Sequence, residues 1–571
     1  MRRRICRLVV TRSTWALLLT LVIAPAGLGL TNEIQEVDPA QYADVARRMV
    51  ESGDWLHLRD LNGPFYNKPP LTMWLQAVGM TVFGVGELAV RLPGLLFAVI
   101  TMLSVFFIGK VLADERRGLT AALLTGGALS THLMVLDPKV DAALTAMTSL
   151  SIALMLLGRV RPWLRLAAWG VAGLAVLSKG PIGLGIPVLA LLPEVVRASW
   201  SDGPSTLFRR VSSVWPLGVL LTALVSAPFY VAMRETTGDQ GLKYLLWDQG
   251  FGRLWGASGF LDDTTPFFFV HTSLWAFLPF TPLLVLALAR RASLLVTTRA
   301  LPGSLSRIPL WWFALVFVVI SLSTYKLPQY LYPLTPPAAL LAAEELERLD
   351  DVLASRWRWF FTGLSFLGVG FVLFVFVVAF PASAGVVALW GGVVGAVAVG
   401  LTTWARRLAP EEGVLVAAAL CLAGVTAFLS GFLQPRLLEY QPSKELTALA
   451  RRLEPDAKEL LYTLGASSFS ATFYAGREVP YLAPGDLPGL ITRGTRRLVL
   501  LGPDGGPEYL HEVGLSTEEL ASLPSFPTSR PSGAFLAAST RDAVVRPMRL
   551  VWAWHTDAPP TASPKASDAP R

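Results

Sequence analysis

Long apolar stretches recur along most of this 571-residue chain, from Trp15 to Phe432. Each is bounded by charged residues or by Pro and Gly, and many run for about 17 to 25 residues, the length with which a helix crosses a hydrocarbon layer. With 53% hydrophobic and only 16% charged residues, a soluble protein of this length would not stay in solution. The sequence therefore predicts an α-helical polytopic membrane protein with about thirteen transmembrane helices.

Positive charges between these stretches predict how the chain crosses the membrane. The N-terminal segment 2–12 is rich in arginine, which by the positive-inside rule keeps it in the cytoplasm. Alternate connections after it are also basic, whereas those near Asp137, Lys179, Lys326 and Pro381 hold at most one cation each. We therefore expect an inner-membrane protein with its N-terminus inside. The formal net charge of +8 comes from these basic loops and does not indicate binding to nucleic acid.

The first apolar stretch has an alternative interpretation as a cleaved signal peptide, because Ala24-Pro25-Ala26 resembles a small-residue cleavage site. In both cases the next loop, residues 31–86, lies outside. That loop is too long and too polar for a simple connector, and such loops are usually functional. We expect it to carry amphipathic helices.

Hydropathy divides the chain into three regions. Residues 1–433 are predicted to form the transmembrane region. Residues 434–555 have ordinary polarity and predict a small α/β domain on the extracytoplasmic side. The tail, residues 556–571, is rich in Pro, Ala and Ser and is predicted to be disordered.

Local patterns predict several elements of the α/β domain. Ser443–Leu453 has the periodicity of an amphipathic helix, and Leu460–Leu464 and Arg497–Leu501 have the composition of buried strands. Ser516–Glu519 has the pattern of a capping box, which predicts the start of another helix.

Ionisable residues at the ends of the apolar stretches gather on the predicted outer face. Charges at membrane depth are costly, so each merits a functional hypothesis. These residues are Asp38, Lys68, Asp137, Asp141, Lys179 and Lys326. Lysines gathered on one face would suit a phosphate or pyrophosphate group.

The same positions also have structural interpretations. Asp38, which precedes a proline and has Gln41 three positions on, has the pattern of a helix N-cap, and Asp141 has a similar place before its own apolar stretch. The lysines would equally serve as anchors at lipid headgroups. Glu87 and Arg91, four positions apart, predict a structural ion pair.

Residues typical of metal and nucleotide sites are sparse. The histidines are scattered without paired spacing, and only Cys6 and Cys421 occur, so we expect neither a metal ion nor another cofactor. The chain has no P-loop and no dinucleotide-binding fingerprint, which argues against an ATP-driven pump. Asp262 and Asp263 form a possible carboxylate pair in a polar loop.

Several short motifs follow one another in a distinctive order. They are Asp38-x-x-x-Tyr42-Ala43-Asp44, Asn67-Lys68-Pro69-Pro70, Glu87-x-x-x-Arg91-Leu92-Pro93, Asp141-x-x-Leu144-Thr145, Ser178-Lys179-Gly180-Pro181 and Lys326-Leu327-Pro328-Gln329-Tyr330. This set resembles the GT-C glycosyltransferases of the aminoarabinose transferase and protein O-mannosyltransferase group, over residues 31–345. The resemblance implies a GT-C fold and transfer of a sugar from an undecaprenyl-phosphate or similar polyprenyl-phosphate donor to a lipid, glycan or protein acceptor.

The resemblance also implies roles for individual residues. Asp38 matches the catalytic aspartate of the first outer loop, and Lys68 matches the lysine that contacts the donor phosphate. We add Asp141 to the catalytic set, and Lys179 and Lys326 to the phosphate-binding set. Further site candidates are Tyr42, Asp44, Asn67, Asp137, Asp263, Gln329 and Tyr330. An outward-facing site agrees with a lipid-linked donor, because nucleotide sugars are absent outside the inner membrane.

The chain departs from the group at several positions. Pro39 and Asn67 stand where acidic residues are common, and Asp263 and Gln329 stand where histidine is frequent. These departures argue against lipid A as the acceptor and aminoarabinose as the sugar. Asn67 and Asp263, in place of an acidic residue and a histidine, also favour the expectation that no divalent metal is required.

Two other classes of membrane protein are alternatives to a glycosyltransferase. A transporter or lipid flippase would need charged residues through the bilayer centre and a related pair of halves, and the sequence shows neither. A non-catalytic assembly or sensor protein would not need the outward-facing set of acids and lysines.

The predicted topology is testable with reporter fusions. A cytoplasmic reporter fused after Tyr440 should be inactive, and the same reporter in the basic loop around Arg290 should be active, because basic loops stay inside. Activity of the fusion after Tyr440 would contradict the predicted orientation.

Overall fold

The computed structural model describes residues 12–202, 215–250, 252, 265–298, 307–349, 351–405, 410–455, 462–465, 469–503, 505–528 and 531–560. Within these ranges the chain forms a bundle of apolar helices followed by a smaller unit of mixed α-helices and β-strands. Asp263 and the arginine-rich segment 2–11 lie outside the described residues.

The apolar region is helical, as its hydropathy predicts. Its helices are Arg12–Ile23, Leu71–Phe83, Glu87–Leu112, Glu115–Gly126, Leu129–Leu136, Val140–Leu157, Trp163–Lys179, Ile182–Asp202, Trp215–Lys243, Phe268–Ala276, Thr281–Thr298, Ile308–Ser321, Thr335–Glu347, Asp351–Phe374, Ala384–Ala405 and Pro410–Phe428. Short 3-10 or π segments lie at Ala24–Gly29, Tyr244–Asp248, Pro328–Leu334, Val375–Ala379 and Leu429–Leu433.

Length and composition identify four of the described helices as long and apolar enough to cross a membrane, or five if a pair bent by 54° counts as one span. The four are Glu87–Leu112, Val140–Leu157, Trp215–Asp248 and Val352–Ala379, and the bent pair is Glu115–Gly126 with Leu129–Leu136. The larger number of about thirteen spans, drawn from hydropathy alone, stays a prediction.

The predicted outer loop contains a helix at Asp38–Ser52 and a short antiparallel pair, β1 at Arg59–Asp60 and β2 at Gly63–Pro64. The helix ends at Gly53, whose φ of 73° is the left-handed conformation that glycine adopts readily. Most of its residues are buried, so it packs as part of the core rather than as a surface loop.

The N-cap interpretations of Asp38 and Asp141 are wrong. Asp38 is itself the first residue of its helix, after Val37, and no side chain caps that end. Asp141 is the second residue of Val140–Leu157, after an uncapped Lys139. Each helix begins one or two residues earlier than the cap pattern predicts, so both carboxylates lie in a first helical turn, where a negative charge is favourable.

The predicted ion pair between Glu87 and Arg91 is also wrong. The fully buried Arg91 guanidinium donates hydrogen bonds to the carbonyl oxygens of Asn32, Glu33 and Leu136. Glu87 is paired with Lys444, with 2.8 Å between the charged atoms. Both residues therefore meet partners that are distant in sequence, and the buried guanidinium has its donors satisfied by backbone carbonyl groups.

The C-terminal unit contains a four-stranded sheet in the order β3-β4-β6-β5. The strands β3 at Tyr462–Leu464 and β4 at Arg497–Leu501 are parallel, and β6 at Arg546–His555 is antiparallel to β4 and to β5 at Leu515–Ser525. The accompanying helices are Gln434–Leu438, Ser443–Leu453, Phe469–Ala475, Leu487–Leu490, Pro507–Glu512, Gly533–Leu536 and Ala538–Val544.

Most predicted elements of this unit are confirmed. The helix Ser443–Leu453 and the strand Arg497–Leu501 have the predicted bounds, and β3 covers the described part of the other predicted strand. The helix predicted from Ser516–Glu519 is wrong, because this segment lies in β5 and pairs with β6. A capping box is a local pattern, and the long antiparallel ladder with β6 outweighs it.

Arg541 joins the C-terminal unit to the helical bundle. Its buried side chain donates to the Phe535 carbonyl oxygen at 2.8 Å and to the Ala379 carbonyl oxygen at the end of a bundle helix. The guanidinium carbon also lies 4.2 Å from the centroid of the Phe380 ring. One side chain therefore satisfies carbonyl groups on both sides of the junction.

We predict that Arg541→Ala lowers the free energy of unfolding by about 1 to 3 kcal/mol, because buried carbonyls lose their donor. The measurement is the thermal unfolding midpoint of the purified protein in detergent. Arg493, 70% exposed and paired with Asp557, provides the matched control, and Arg493→Ala should change stability by less than about 0.5 kcal/mol. Equal midpoints for the two variants would contradict the joining role of Arg541.

Candidate active site

A cavity of about 410 Å³ lies among the ends of several bundle helices. Its polar lining residues include Lys68, Asp141, Lys179, Gln249 and Tyr330. Its apolar lining residues include Leu144, Ile182, Ile186, Val316 and Ile320. Cationic groups beside an apolar wall suit a molecule with an anionic head and a hydrocarbon chain.

Lys179 and Asp141 form an ion pair in the cavity wall. Lys179 ends the helix Trp163–Lys179, and its Nζ lies 2.5 Å from Oδ1 of Asp141 in the first turn of Val140–Leu157. The same Nζ lies 4.0 Å from the centroid of the Tyr330 ring. The carboxylate and the ring face together fix the position of the ammonium group. The chain turns away at Gly180, whose φ is 78°.

Lys68 reaches the same cavity from the outer loop. Its Nζ donates to Oε1 of Gln249 at 3.1 Å, and Nε2 of Gln249 donates to the Tyr244 hydroxyl at 2.7 Å. The Tyr244 ring meets the Tyr66 ring edge to face, with 5.3 Å between centroids. Pro69 and Pro70 directly precede the helix Leu71–Phe83. These contacts hold Lys68 in the cavity wall, and its role in binding phosphate stays a prediction.

Asp38 belongs to a neighbouring group of charged and polar residues. Burial raises the pKa of the Tyr42 hydroxyl well above its ordinary value, and the charges of Asp38 and Asp141 raise it further. Tyr42 is therefore neutral and lies within electrostatic reach of both carboxylates. Asp141 lines the cavity, whereas Asp38 is partly exposed and is not among the described lining residues.

The loop before Val140–Leu157 adds a partly buried ion pair to this group. Nζ of Lys139 lies 2.8 Å from Oδ2 of Asp137. Burial raises the pKa of Asp137, and the charge of Lys139 opposes that shift. Burial lowers the pKa of Lys139, but Asp137, Asp38 and Asp141 together raise it above its ordinary value. Lys139 therefore stays charged beside Asp137.

The structure brings together only part of the predicted site. Lys68, Asp141, Lys179 and Tyr330 line the cavity. The predicted residues Asn67, Lys326 and Gln329 are not among the described lining residues, although Gln329 precedes Tyr330 in the same 3-10 turn. Lys326 is buried.

Asp44 has a structural role in the helix Asp38–Ser52. It is fully buried, and its two carboxylate oxygens each lie 2.9 Å from an arginine nitrogen, one on Arg47 and one on Arg48. These pairs satisfy a buried charge within one helix, so Asp44 supports the helix that carries Asp38.

Sequence reasoning missed Lys139 and Gln249. Lys139 lies between the two recognised acids, and that spacing was a usable signal. Gln249 follows the π segment Tyr244–Asp248 and meets Lys68 across a separation of 181 residues, which no local pattern predicts. Among the described residues, no group of three or more His, Cys, Asp or Glu is arranged to hold a metal ion. Metal independence stays a prediction, since Asp263 is not described.

A family model and several known proteins match the sequence of this chain. A family model for dolichyl-phosphate-mannose-protein mannosyltransferase matches residues 67–234. The undecaprenyl phosphate-alpha-4-amino-4-deoxy-L-arabinose arabinosyl transferase of Edwardsiella ictaluri is 27% identical over 470 residues, covering 75% of this chain and 78% of the relative. The enzyme of the same description from Pseudomonas savastanoi pv. phaseolicola is 27% identical, and the alignment spans 56% of that relative.

Solved structures of ArnT from Cupriavidus metallidurans share the fold. The form bound to undecaprenyl phosphate superposes with a TM-score of 0.75 at 21% sequence identity, covering 95% of this chain and 98% of that chain. The apo form gives a TM-score of 0.74 at 20% identity. The predicted GT-C fold is confirmed, and nothing in these likenesses favours a transporter or flippase. The predicted resemblance to the GT-C glycosyltransferases of the aminoarabinose transferase and protein O-mannosyltransferase group is confirmed by the family model, the relatives and the fold.

Proposed function

We propose that this protein transfers a sugar from a polyprenyl-phosphate donor of the undecaprenyl-phosphate type to a lipid, glycan or protein acceptor at the extracytoplasmic face of the inner membrane. The observation that carries the proposal is the cavity in which Lys68 and Lys179 adjoin an apolar wall. The proposal includes the orientation of the chain in the membrane, with the N-terminus inside and the C-terminal domain outside.

The donor is an amphiphile, and the cavity has matching chemistry. The ammonium groups of Lys68 and Lys179 would neutralise the phosphate, while the hydrocarbon chain would lie along Ile182, Ile186 and Val316. The related ArnT structure that contains undecaprenyl phosphate supports this class of donor. In this arrangement Asp141 orients Lys179 through their ion pair, and we assign it a supporting role in the catalytic set.

In the proposed transfer, one bond to the anomeric carbon of the sugar forms and another breaks. Asp38 accepts the proton of the acceptor hydroxyl, whose oxygen forms a bond to that carbon on the face opposite the phosphate. The bond between the anomeric carbon and the phosphate oxygen breaks, and the polyprenyl phosphate leaves with the bonding electrons. Lys68 and Lys179 stabilise the negative charge that develops on the phosphate. The sugar is transferred with inversion.

The sugar and acceptor are proposed to differ from those of the aminoarabinose enzymes. Pro39 and Asn67 replace acidic residues common in that group, and both flank proposed functional residues. Pro39 lies in the first turn of the Asp38 helix, where its missing N–H group is tolerated. These replacements change charge beside the site without removing Asp38 or Lys68, so the reaction class is retained.

We predict that Lys68→Ala lowers sugar transfer by about 100-fold, because a cation facing the leaving phosphate is lost. Lys68→Arg should restore transfer only in part, since a planar guanidinium does not replace a compact ammonium. Glycolipids and glycans of a deletion strain complemented with each variant would be quantified by mass spectrometry. Binding of undecaprenyl phosphate to the purified variants would be measured by native mass spectrometry and should weaken.

Lys110 provides the matched control for Lys68. It is an exposed lysine at the end of Glu87–Leu112, paired with Glu115, so Lys110→Ala should leave transfer unchanged. Normal transfer and lipid binding by Lys68→Ala would favour the headgroup-anchor interpretation.

We predict that Asp38→Asn lowers transfer by about 100- to 10,000-fold, because an amide cannot accept the acceptor proton. Loss of a negative charge in the first helical turn should cost only about 0.3 to 1 kcal/mol of stability. Thermal unfolding and undecaprenyl phosphate binding should therefore stay near wild type. Asp141→Asn should lose less activity, since Asp141 acts through Lys179.

Glu51→Gln is the control for Asp38→Asn, since Glu51 lies on the same helix with its side chain 54% exposed. It makes the same change from carboxylate to amide and should leave transfer unchanged. If Asp38→Asn retained most of its transfer activity, the catalytic assignment would fail.

A further inference from the structure

The segment before Asp38 is held by residues from the far end of the chain. The backbone N–H of Ile34 donates to the Tyr474 hydroxyl at 2.8 Å. The backbone N–H of Glu36 donates to Oε1 of Gln441 at 3.2 Å, and Oε1 of Glu36 accepts from the Ser470 N–H at 2.8 Å. The C-terminal unit thus contacts this segment up to two residues before Asp38.

Packing and charge join the same two parts of the molecule. The buried Phe473, from the helix Phe469–Ala475, lies in one apolar cluster with Tyr42 and Val45 of the Asp38 helix. Arg48 of that helix pairs with Glu478 at 3.2 Å. The Asp38 helix is therefore clamped along its length by the C-terminal unit, and not only at its start.

The segment needs this support because it has no regular secondary structure of its own. Residues 33–35 belong to neither a helix nor a strand, so their backbone groups need other partners. Arg91 supplies donors to the carbonyl groups of Asn32 and Glu33 from the helical bundle. Tyr474 and Gln441 supply acceptors to the N–H groups from the opposite side. The helical bundle thus binds carbonyl groups of this segment, and the C-terminal unit binds its N–H groups.

We propose that the C-terminal unit positions the Asp38 carboxylate for sugar transfer, and that Tyr474 is a positioning residue in this clamp. The inference rests on the proposed role of Asp38 as the proton acceptor. A general base must come within about 2.6 to 3.2 Å of the proton donor. A displacement of about 1 Å is enough to lower the rate by about 100-fold. Releasing the segment would therefore reduce transfer while leaving the lysine-lined cavity intact.

Tyr474→Phe is the sharpest test, because it removes one hydroxyl and keeps the ring. We expect sugar transfer, measured by mass spectrometry in the complemented deletion strain, to fall by about 10- to 100-fold. Binding of undecaprenyl phosphate to the purified variant should be unchanged, since Lys68 and Lys179 are untouched. Hydrogen exchange of the backbone over residues 33–38 should become faster.

Tyr509→Phe provides the matched control. Tyr509 lies in the same unit and is 44% exposed, so loss of its hydroxyl should change neither transfer nor hydrogen exchange at residues 33–38. A purely structural role for Tyr474 would weaken lipid binding and transfer together. The positioning role predicts that binding is kept while transfer falls.

A pair of variants at Glu36 tests the clamp independently. Glu36→Gln keeps an oxygen that accepts from the Ser470 N–H and should keep most of the transfer activity, whereas Glu36→Ala should lose it. Equal activity of these two variants would overturn the inference. Wild-type transfer by Tyr474→Phe, with Asp38→Asn inactive, would also overturn it and leave the proposed function standing. Full activity of Asp38→Asn would instead remove the proposed function itself.

Discussion

The Arg91 guanidinium is the interaction on which the arrangement of the site depends. It is fully buried, and its hydrogen bonds go to the carbonyl oxygens of Asn32, Glu33 and Leu136. The first two carbonyls belong to the segment that leads to Asp38, and the third precedes Asp137. One side chain therefore fixes the segments that lead to Asp38 and Asp137. A buried cation without such acceptors would be strongly destabilising, so these segments have little freedom to move apart.

In the proposed reaction, the lysine ammonium groups and the Asp38 carboxylate occupy different places in the molecule. The lysines lie in the wall of the cavity, each held by a partner on another element, as Lys179 is by Asp141. Asp38 lies in the first turn of the helix Asp38–Ser52 and is not among the described residues that line the cavity. Groups that stabilise a leaving anion and a group that accepts a proton need opposite surroundings, because each must keep its charge. Asp38 lies in the first turn of its helix and Lys179 ends its helix, so each charge lies at the helix end that favours it.

The sequence was informative where function depends on short motifs and hydropathy. Lys68, Asp141, Lys179 and Tyr330 were predicted from their motifs, and the structure places them around one cavity. Local spacing failed where the partner is distant in sequence. Arg91 meets Leu136 rather than Glu87. The same limit applies to Ser516–Glu519, where a strand partner thirty or more residues away decides the conformation.

The hydrogen bonds before Asp38 have a consequence for biosynthesis. Ile34 and Tyr474 are separated by 440 residues, and Glu36 and Ser470 by 434. During synthesis the early part of the chain is made long before these partners exist, and contacts of such separation form late in folding. The lysines of the cavity come from the first third of the chain, and the partners described above for them, Gln249, Asp141 and Tyr330, all precede the C-terminal unit. A nascent chain would thus form the lysine-lined cavity first, and the segment before Asp38 would find its last partners only when the C-terminal unit has folded.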